Sequence, residues 1–275
     1  MTTQTAPATQ AAPLTAPASG YRLSFGRVLR SEWIKLATVR STWWSVAITA
    51  ALTIGIAVLI ALAVGEVPGF TGISAVIMPI QFTMLLAGIL GVISVTGEYS
   101  TGMIRSTLTA VPARGVVLAA KAVVMALVLF FTSLAIFLAA AIVVSPIFAD
   151  TAGAIDWASF DGTYLPILVA SASMAAFALI GVALGFVLRS GAGAIAAVVG
   201  LLFVLPIVVQ MFAMAGEAWK WVLDAGNYLP MAAAQFAILP SEQAPVDANT
   251  AYLTLAAWVV GGLLAAWAVL RTRDA

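Results

Sequence analysis

The sequence has no cysteine, no histidine and few charged residues, and each shortage excludes a class of chemistry. Without cysteine the chain has no disulfide, iron–sulfur cluster or thiolate metal site. Without histidine it lacks the commonest metal ligand and the usual proton carrier at neutral pH. Charged residues make up 8% of the 275 residues and hydrophobic residues 63%, against about 25% and about 45–50% in an average soluble domain. Such a composition predicts an integral membrane protein, because so few charges cannot cover so much apolar surface in water.

Six apolar runs, each close to the about 20 residues that cross about 30 Å of hydrocarbon, indicate six transmembrane spans. Backbone groups in lipid must be hydrogen-bonded within their own segment, so each run is predicted to be a helix. The predicted fold class is therefore all-α and polytopic, with spans at residues 43–64, 72–95, 122–144, 164–188, 194–215 and 251–270. Pro79 and Pro206 predict kinks in the second and fifth spans.

These six runs contain no Asp, Glu, Lys or Arg. An ionisable group at the bilayer centre costs at least about 2.5–3.5 kcal/mol and usually marks an ion or proton pathway. The absence of such groups argues against an ion channel and against a carrier coupled to protons or sodium.

The basic residues fall on one side of this topology. With a cytosolic N-terminus, 11 of the 12 Lys and Arg residues lie on the cytosolic side and Lys220 lies outside. Cytosolic loops of membrane proteins carry an excess of Lys and Arg. The distribution predicts that both termini are cytosolic.

The chain divides into three parts by composition. Residues 1–20 are rich in Ala, Thr, Pro and Gln without charge or periodicity, which predicts a disordered tail. Residues 21–41 have the pattern of an amphipathic helix lying at the membrane surface. Residues 42–275 form the six-span domain, with a polar cytosolic loop at 96–121 and a long external loop at 216–250. The apolar stretch 231–239 of the external loop is too short to span, and we expect a short helix there.

The amphipathic helix carries Arg27, Arg30 and Lys35 on its polar side and Trp33 on its apolar side. Glu32 falls inside the apolar side, where a carboxylate needs a partner. The helix is either a solvated lead into the first span or an interface helix that contacts a cytosolic subunit, and both can hold together.

Three polar side chains within the spans, Gln81, Thr83 and Gln210, have two possible roles. The first is hydrogen bonding between helices, which is common for polar groups in membranes. The second is to line a path for an amphiphilic substrate. Gly181 and Gly185 form a small-residue motif that favours close helix packing inside one subunit over dimerisation.

No motif for nucleotide binding or catalysis occurs in the sequence. None of the three lysines follows a phosphate-binding glycine loop, and no nucleophile elbow, zinc-protease motif or paired-cysteine motif is present. We therefore expect no enzymatic activity, no catalytic or metal-binding residues and no cofactor bound by this chain. A membrane body without its own energy source points to a partner that supplies the energy.

Three stretches resemble permease subunits of ATP-binding-cassette transporters, specifically the type-two exporter family. RSEWIKLATVRSTWWS at residues 30–45 is similar to the start of such permeases. GEYSTGMIRSTLTAVPARGVVLAAKA at residues 97–122 is similar to their loop between the second and third spans, and YLPMAAAQFAILP at 228–240 to their external segment before the last span. Glu98, Tyr99, Gly102 and Arg105, followed by Pro-x-Arg, carry the most specific part of the likeness.

The resemblance implies a dimer, of two copies or of this chain with a related permease, in the bacterial plasma membrane, with an ATPase subunit that holds ATP and Mg docked under each half. It implies a coupling helix near residues 101–108, with an interface helix at the N-terminus. The residues it assigns to coupling with the ATPase are Glu98, Tyr99, Thr101, Gly102, Met103, Ile104, Arg105 and Leu108; those it assigns to the interface helix are Arg27, Arg30, Glu32, Trp33 and Lys35. Glu98, just before the short helix, is expected to favour its N-terminus.

Under this hypothesis the chain moves an amphiphilic or hydrophobic substrate outward, such as a drug, a peptide or a lipid, and binds no nucleic acid. Four alternatives stay open from the sequence. The loop could be an ordinary polar connector, and the chain could be a secondary carrier, a membrane enzyme acting on lipids, or a non-transporting scaffold or immunity protein.

Overall fold

The computed structural model describes residues 24–64, 67, 69–214 and 216–273, and the regular structure in this part of the chain is helical throughout. The predicted tail at 1–20 and residues 21–23 lie outside the described residues. The α-helices follow in chain order: α1 (Phe25–Thr38), α2 (Arg40–Val64), α3 (Gly72–Ile77), α4 (Ile80–Ser100), α5 (Met103–Ala110), α6 (Arg114–Val144), α7 (Leu165–Leu188), α8 (Gly191–Val199), α9 (Leu205–Met211), α10 (Lys220–Gly226), α11 (Pro230–Ile238) and α12 (Ala248–Thr272).

Six helical segments of the described chain are long and apolar enough to cross a membrane, which confirms the prediction of an all-α, six-span, multi-pass membrane protein. They are Arg40–Val64, Gly72–Ser100, Arg114–Phe148, Phe160–Leu188, Gly191–Met214 and Ala248–Thr272. The second and third spans extend past their apolar runs toward the polar loop, because helical hydrogen bonding continues where the side chains become polar. Glu98 and Lys121 are therefore residues of span helices rather than of a loop.

Regular α-helix is interrupted at or next to Pro79 and Pro206, the two prolines for which kinks are predicted. Pro79 separates α3 from α4 within the second span, and Pro206 lies in α9, directly after a π-helical stretch at Gly200–Val204. Proline removes a backbone donor and crowds the preceding turn, so the helix changes its pattern at these positions.

Helix α7 is the most buried span, and it crosses α4 at very close range. A Cβ added to Gly91 would lie 2.0 Å from the Ala178 carbonyl oxygen, and one added to Gly181 would lie 2.0 Å from the Gly88 carbonyl oxygen. Only glycine lets two helix backbones approach this closely. The small-residue motif of α7 therefore packs within one chain, as predicted.

One end of the helix bundle, which we call the basic face, brings together α1, α5, the start of α6 and the end of α12. The guanidinium of Arg114 donates to the carbonyl oxygens of Leu270 (2.6 Å) and Arg273 (3.2 Å). Arg189, at the end of α7, donates to the Arg273 carbonyl oxygen at 3.2 Å. Arginine is well suited to this position, because the last carbonyls of a helix have no partner within the helix and carry partial negative charge.

The external segment before the last span contains the short helix expected at 231–239, which is observed as α11. Ala237 of α11 packs in a small cluster with Val246 and Ala251, and the Tyr252 hydroxyl donates to the Ala237 carbonyl oxygen at 3.2 Å. Helix α11 is thereby fixed against the start of α12.

Candidate functional site

Glu98 lies in the last turn of α4, where its side chain is only 4% exposed. The prediction that it stabilises the N-terminus of the short helix is wrong. That helix, α5, begins two residues later than expected, after Gly102, and receives no side-chain cap. Gly102 has a φ of 72°, the left-handed region that glycine adopts without strain, and it reverses the chain between α4 and α5. The Glu98 carboxylate is instead free to point into the protein.

Four buried or half-buried charges meet behind this turn, and we call Glu32, Lys35, Glu98 and Lys121 the ion cluster. The Lys121 ammonium lies 2.6 Å from Glu32 Oε2 and 2.7 Å from Glu98 Oε1. The Lys35 ammonium lies 2.6 Å from Glu32 Oε1 and 3.0 Å from Glu98 Oε1. Each charge thus has two partners of opposite sign, and the cluster is formally neutral. It connects three helices, α1, α4 and α6.

Hydrogen bonding at both ammonium groups is complete. An ammonium has three donors. The third acceptor of Lys121 is the Ser94 carbonyl oxygen at 3.1 Å, and the third acceptor of Lys35 is Thr107 Oγ1 at 3.4 Å. A buried charge is tolerated only when it is paired and hydrogen-bonded in this way.

The cluster shifts the pKa values of both titratable groups that α1 contributes. Burial by itself raises the pKa of the Glu32 carboxyl, but Lys121 and Lys35 together hold it below its ordinary value. Burial by itself lowers the pKa of the Lys35 ammonium, but Glu32 and Glu98 hold it above its ordinary value. Both groups are therefore charged at neutral pH. The partner that Glu32 needed on the apolar side of its helix is Lys121, together with Lys35.

The inward side of helix α5 is fixed by contacts with the core and with the ion cluster. Ile104 is 3% exposed and belongs to the main core, and Leu108 packs against that core. Thr107 receives the hydrogen bond from Lys35. Ile104 was expected as an exposed contact, but it faces inward. The exposed residues of α5 are Met103, Arg105, Ser106, Thr109 and Ala110.

The remaining residues assigned to coupling lie around the turn. The ring of Tyr99 packs edge-on against Phe186 of α7 at 6.4 Å between centroids, and the Arg189 guanidinium carbon lies 5.4 Å from the centre of the same ring. The Thr101 hydroxyl donates to the Gly97 carbonyl oxygen at 2.8 Å and so closes the end of α4. The half-buried Tyr99 therefore supports the turn from the inside, and the exposed Thr101 supports it from the outside.

The predicted interface helix separates into two sides. Glu32 and Lys35 face the ion cluster, whereas Arg27, Arg30 and Trp33 are exposed. Val39 is extended between α1 and α2, so the direction of the chain changes before the first span begins. The exposed side of α1 and the exposed side of α5 belong to the same basic face.

The residues predicted for a substrate path are only partly brought together. Gln81 and Gln210 line one cavity of about 450 Å³ on the side of the bundle opposite the basic face. Thr83 does not, because it is fully buried and its hydroxyl donates to the Pro79 carbonyl oxygen at 3.3 Å. The same hydroxyl also lies 3.9 Å from Met174 Sδ of α7, so Thr83 contributes to packing between α4 and α7.

Lys121 was missed as a site residue in the sequence. Its signal was present, since it is a cation directly before a long apolar run, while Glu32 is an anion on an apolar helix side. Two such exceptions to the local pattern, of opposite charge, are candidates for pairing. The described residues contain no group of three Asp, Glu, His or Cys side chains that could hold a metal ion.

The chain matches no protein-family model, and no curated protein is significantly similar to it. Its function therefore has to be argued from the ion cluster, the short helix in front of it and the six spans.

Proposed function

We propose that this chain is the membrane-spanning permease subunit of an ATP-binding-cassette exporter, driven by a separate ATPase subunit that docks on α5 and α1. The observation that carries the proposal is the short helix α5, which is exposed on one side. On its other side, Thr107 accepts a hydrogen bond from Lys35 of the ion cluster, which joins α1, α4 and α6. A loop that only connects two spans does not need such an anchor.

The anchor supplies a route for force. Pressure on Met103 and Arg105 of α5 passes through Ile104 into the core and through Thr107 to Lys35. From Lys35 the ion cluster reaches α1, α4 and α6, and α4 is in backbone contact with α7. Because paired charges and close-packed backbones resist deformation, movement of α5 displaces these helices together.

The spans favour an amphiphilic cargo and an external source of energy. Ionisable residues of the described spans lie near the span ends, and the long central runs contain none. Proton- or sodium-driven transport requires such groups within the membrane. The proposal therefore places the chain in the bacterial plasma membrane, as a dimer with itself or with a related permease, exporting a drug, peptide or lipid.

Crosslinking tests the docking directly, because the native chain has no cysteine. Met103→Cys on α5 should crosslink to an ATP-binding-cassette ATPase in native membranes, whereas Ala154→Cys in the loop on the opposite side should not. The purified chain alone should neither bind nor hydrolyse ATP. If no ATPase is captured at position 103, the docking assignment is wrong and a non-transporting scaffold becomes the better explanation.

The effect on activity is measured in the assembled complex. We expect Arg105→Ala to lower substrate-stimulated ATP hydrolysis while membrane insertion stays intact, because Arg105 is exposed and contributes nothing to the core. Lys220→Ala, which removes an exposed cation on the opposite side, is the matched control and should hydrolyse ATP at the wild-type rate. Equal rates for the two variants would contradict a coupling role for α5.

A further inference from the structure

The cavity opposite the basic face is lined by four residues that carry side-chain amides, from four separate parts of the chain. Gln81 comes from α4, Gln210 from α9, Asn227 directly follows α10, and Gln235 lies in α11. Its apolar walls include Phe82, Phe203 and Phe236, and none of its lining residues is ionisable. The sequence had suggested Gln81 and Gln210, but nothing in it brought Asn227 and Gln235 to the same place.

These amides are not used to hold the helices together. Among the described residues, no hydrogen bond joins any of the four amide side chains to another protein group. Gln81 lies nine residues after Gly72, inside the candidate membrane span Gly72–Ser100. An amide within a span and without a partner is unfavourable in contact with lipid, so it needs water or a ligand.

The packing around the cavity joins α9 and α10, which contribute Gln210 and the residue before Asn227. A Cβ added to Gly226 would lie 2.3 Å from Val209 Cγ1, so α10 is in direct contact with α9. This contact places Asn227 beside the turn of helix that carries Gln210. A second cavity of about 410 Å³ shares Gln81, Gln235 and Phe236 with the first and adds Gln243 and Ser241. The polar lining therefore continues into the loop after α11.

We propose that this cavity binds an uncharged amphiphile whose polar head carries amide or hydroxyl groups. Side-chain amides both donate and accept hydrogen bonds and carry no charge, so they match a neutral head group. A charged head group would find no counter-charge in the cavity and would lose its hydration there. The phenylalanine rings supply the apolar surface for the remainder of the ligand. That the ligand is also the transported cargo rests on the proposed function; the binding itself does not.

The test uses the whole chain in phosphatidylcholine nanodiscs, without ATPase or ATP, so its failure is distinct from failure of the proposed function. Ala232→Cys places a single thiol in the cavity lining, and its rate of reaction with N-ethylmaleimide reports occupancy. The probes share a ten-carbon tail and differ in the head: decanoyl-N-methylglucamide is neutral, decyltrimethylammonium is cationic and decyl sulfate is anionic. All three are used below their critical micelle concentrations.

We expect the neutral probe to slow labelling of Ala232→Cys and the two charged probes to have little effect. Ala225→Cys, an exposed position of α10 outside the cavity lining, is the matched control for simple partitioning into the membrane. Equal protection at both positions, equal protection by all three probes, or no protection at all would overturn the proposal. The proposal would also be overturned if Ala232→Cys failed to react with N-ethylmaleimide in the absence of probe and instead formed a disulfide with a second copy of the chain. That result would place position 232 in an interface between two copies.

Substitution of the amides tests the hydrogen bonds. In the Ala232→Cys background, Gln81→Leu or Gln210→Leu should raise the probe concentration needed for half-protection by roughly three- to tenfold each, the effect of one neutral hydrogen bond. Asn249→Leu removes an exposed amide outside the cavity and should change nothing. Gln81→Glu should reverse the preference at pH above neutral, so that the cationic probe protects and the neutral probe protects less. The assignment would be refuted if Gln81→Glu kept the wild-type preference and both leucine variants kept the wild-type concentration for half-protection.

Discussion

Lys121 carries the most buried cation among the described residues, and its surroundings explain why it is tolerated. Its side chain is 5% exposed, yet each of its three donors has an acceptor on α1 or α4. Removing one partner from such a cluster leaves an uncompensated buried charge, which costs more than the pair contributes. At the residue scale, the stability of the basic face therefore depends on all four members of the ion cluster together.

We expect Lys121→Met to destabilise the protein by about 3–5 kcal/mol, because Glu32 and Glu98 then share only Lys35. The measurement is thermal unfolding of the purified protein in detergent. Lys220→Met is the matched control, since this lysine is exposed and outside the cluster, and it should unfold at the wild-type temperature. The importance of the cluster would be disproved by equal unfolding temperatures for the two variants.

The pH dependence of stability follows from the two shifted pKa values. The Glu32 pKa is lowered from 4.5 on folding, so its contribution is complete above that pH and lost as the pH falls through the lowered pKa. The Lys35 pKa is raised from 10.5, so its contribution is complete below that pH and lost as the pH rises through the raised pKa. The cluster should therefore be fully effective between these two values.

Unfolding temperatures measured across this window test the assignment. We expect Glu32→Gln to be less stable than wild type at neutral pH and to lose less further stability on acidification, because its side chain no longer titrates. Glu242→Gln, at an exposed position, should show the wild-type acid dependence. An acid limb that is identical in wild type and Glu32→Gln would contradict the pairing.

At the scale of elements, the α4–α7 crossing brings two helix backbones into direct contact, and we expect it to couple the movements of the second and fourth spans. The two backbones are in direct contact at Gly91 and Gly181, where carbonyl oxygens of Ala178 and Gly88 occupy the space of the missing Cβ atoms, so we expect α4 and α7 to move together. The short helix α5 depends on this pair indirectly, because Glu98 is part of α4. A displacement of α5 is therefore expected to reach the centre of the bundle.

We expect Gly91→Ala and Gly181→Ala to destabilise the protein by at least about 1–3 kcal/mol, because the added methyl overlaps a backbone oxygen that cannot move aside. Gly55→Ala in α2 is the matched control, with nothing within 4 Å of its added Cβ. It should be neutral or slightly stabilising, since alanine favours a helix over glycine by about 1 kcal/mol. Folded yield and thermal unfolding in detergent are the measurements, and equal behaviour of the three variants would rule out the close crossing.

At the scale of the whole molecule, the two ends of the bundle differ in chemistry. The basic face holds α1, α5, the ion cluster and the arginines that bind the end of α12. The other end holds α10, α11 and the amide-lined cavity. The proposed exporter requires such a division, because an ATPase would press on one end of the bundle and an amphiphile would bind at the other.

Single cysteines test the orientation of this division in intact cells. Cysteines at Thr101 and Gly191 should be protected from a membrane-impermeant thiol reagent, and those at Ala154 and Ser241 should react. The expectation follows from the excess of Lys and Arg on the face that carries Thr101. Reaction of Thr101→Cys from outside would invert the topology and exclude docking of a cytosolic ATPase on α5.

The sequence by itself determined the class of this protein, the number of spans and the existence of the short helices. These are local properties, because the length and hydropathy of one segment decide whether it crosses a membrane. The presence of α5 and α11 was also predictable, with the start of α5 misplaced by two residues because the turn depends on Gly102 rather than on Glu98.

Only the tertiary structure decided which polar residues meet. Glu32 and Lys121 are 89 positions apart, and each is only an exception within its own segment until the packing of α1, α4 and α6 joins them. The same holds for the four amides, which come from separate elements. Local pattern shows that a charge or amide needs a partner, but the choice of partner depends on three-dimensional packing, which the chain specifies only as a whole.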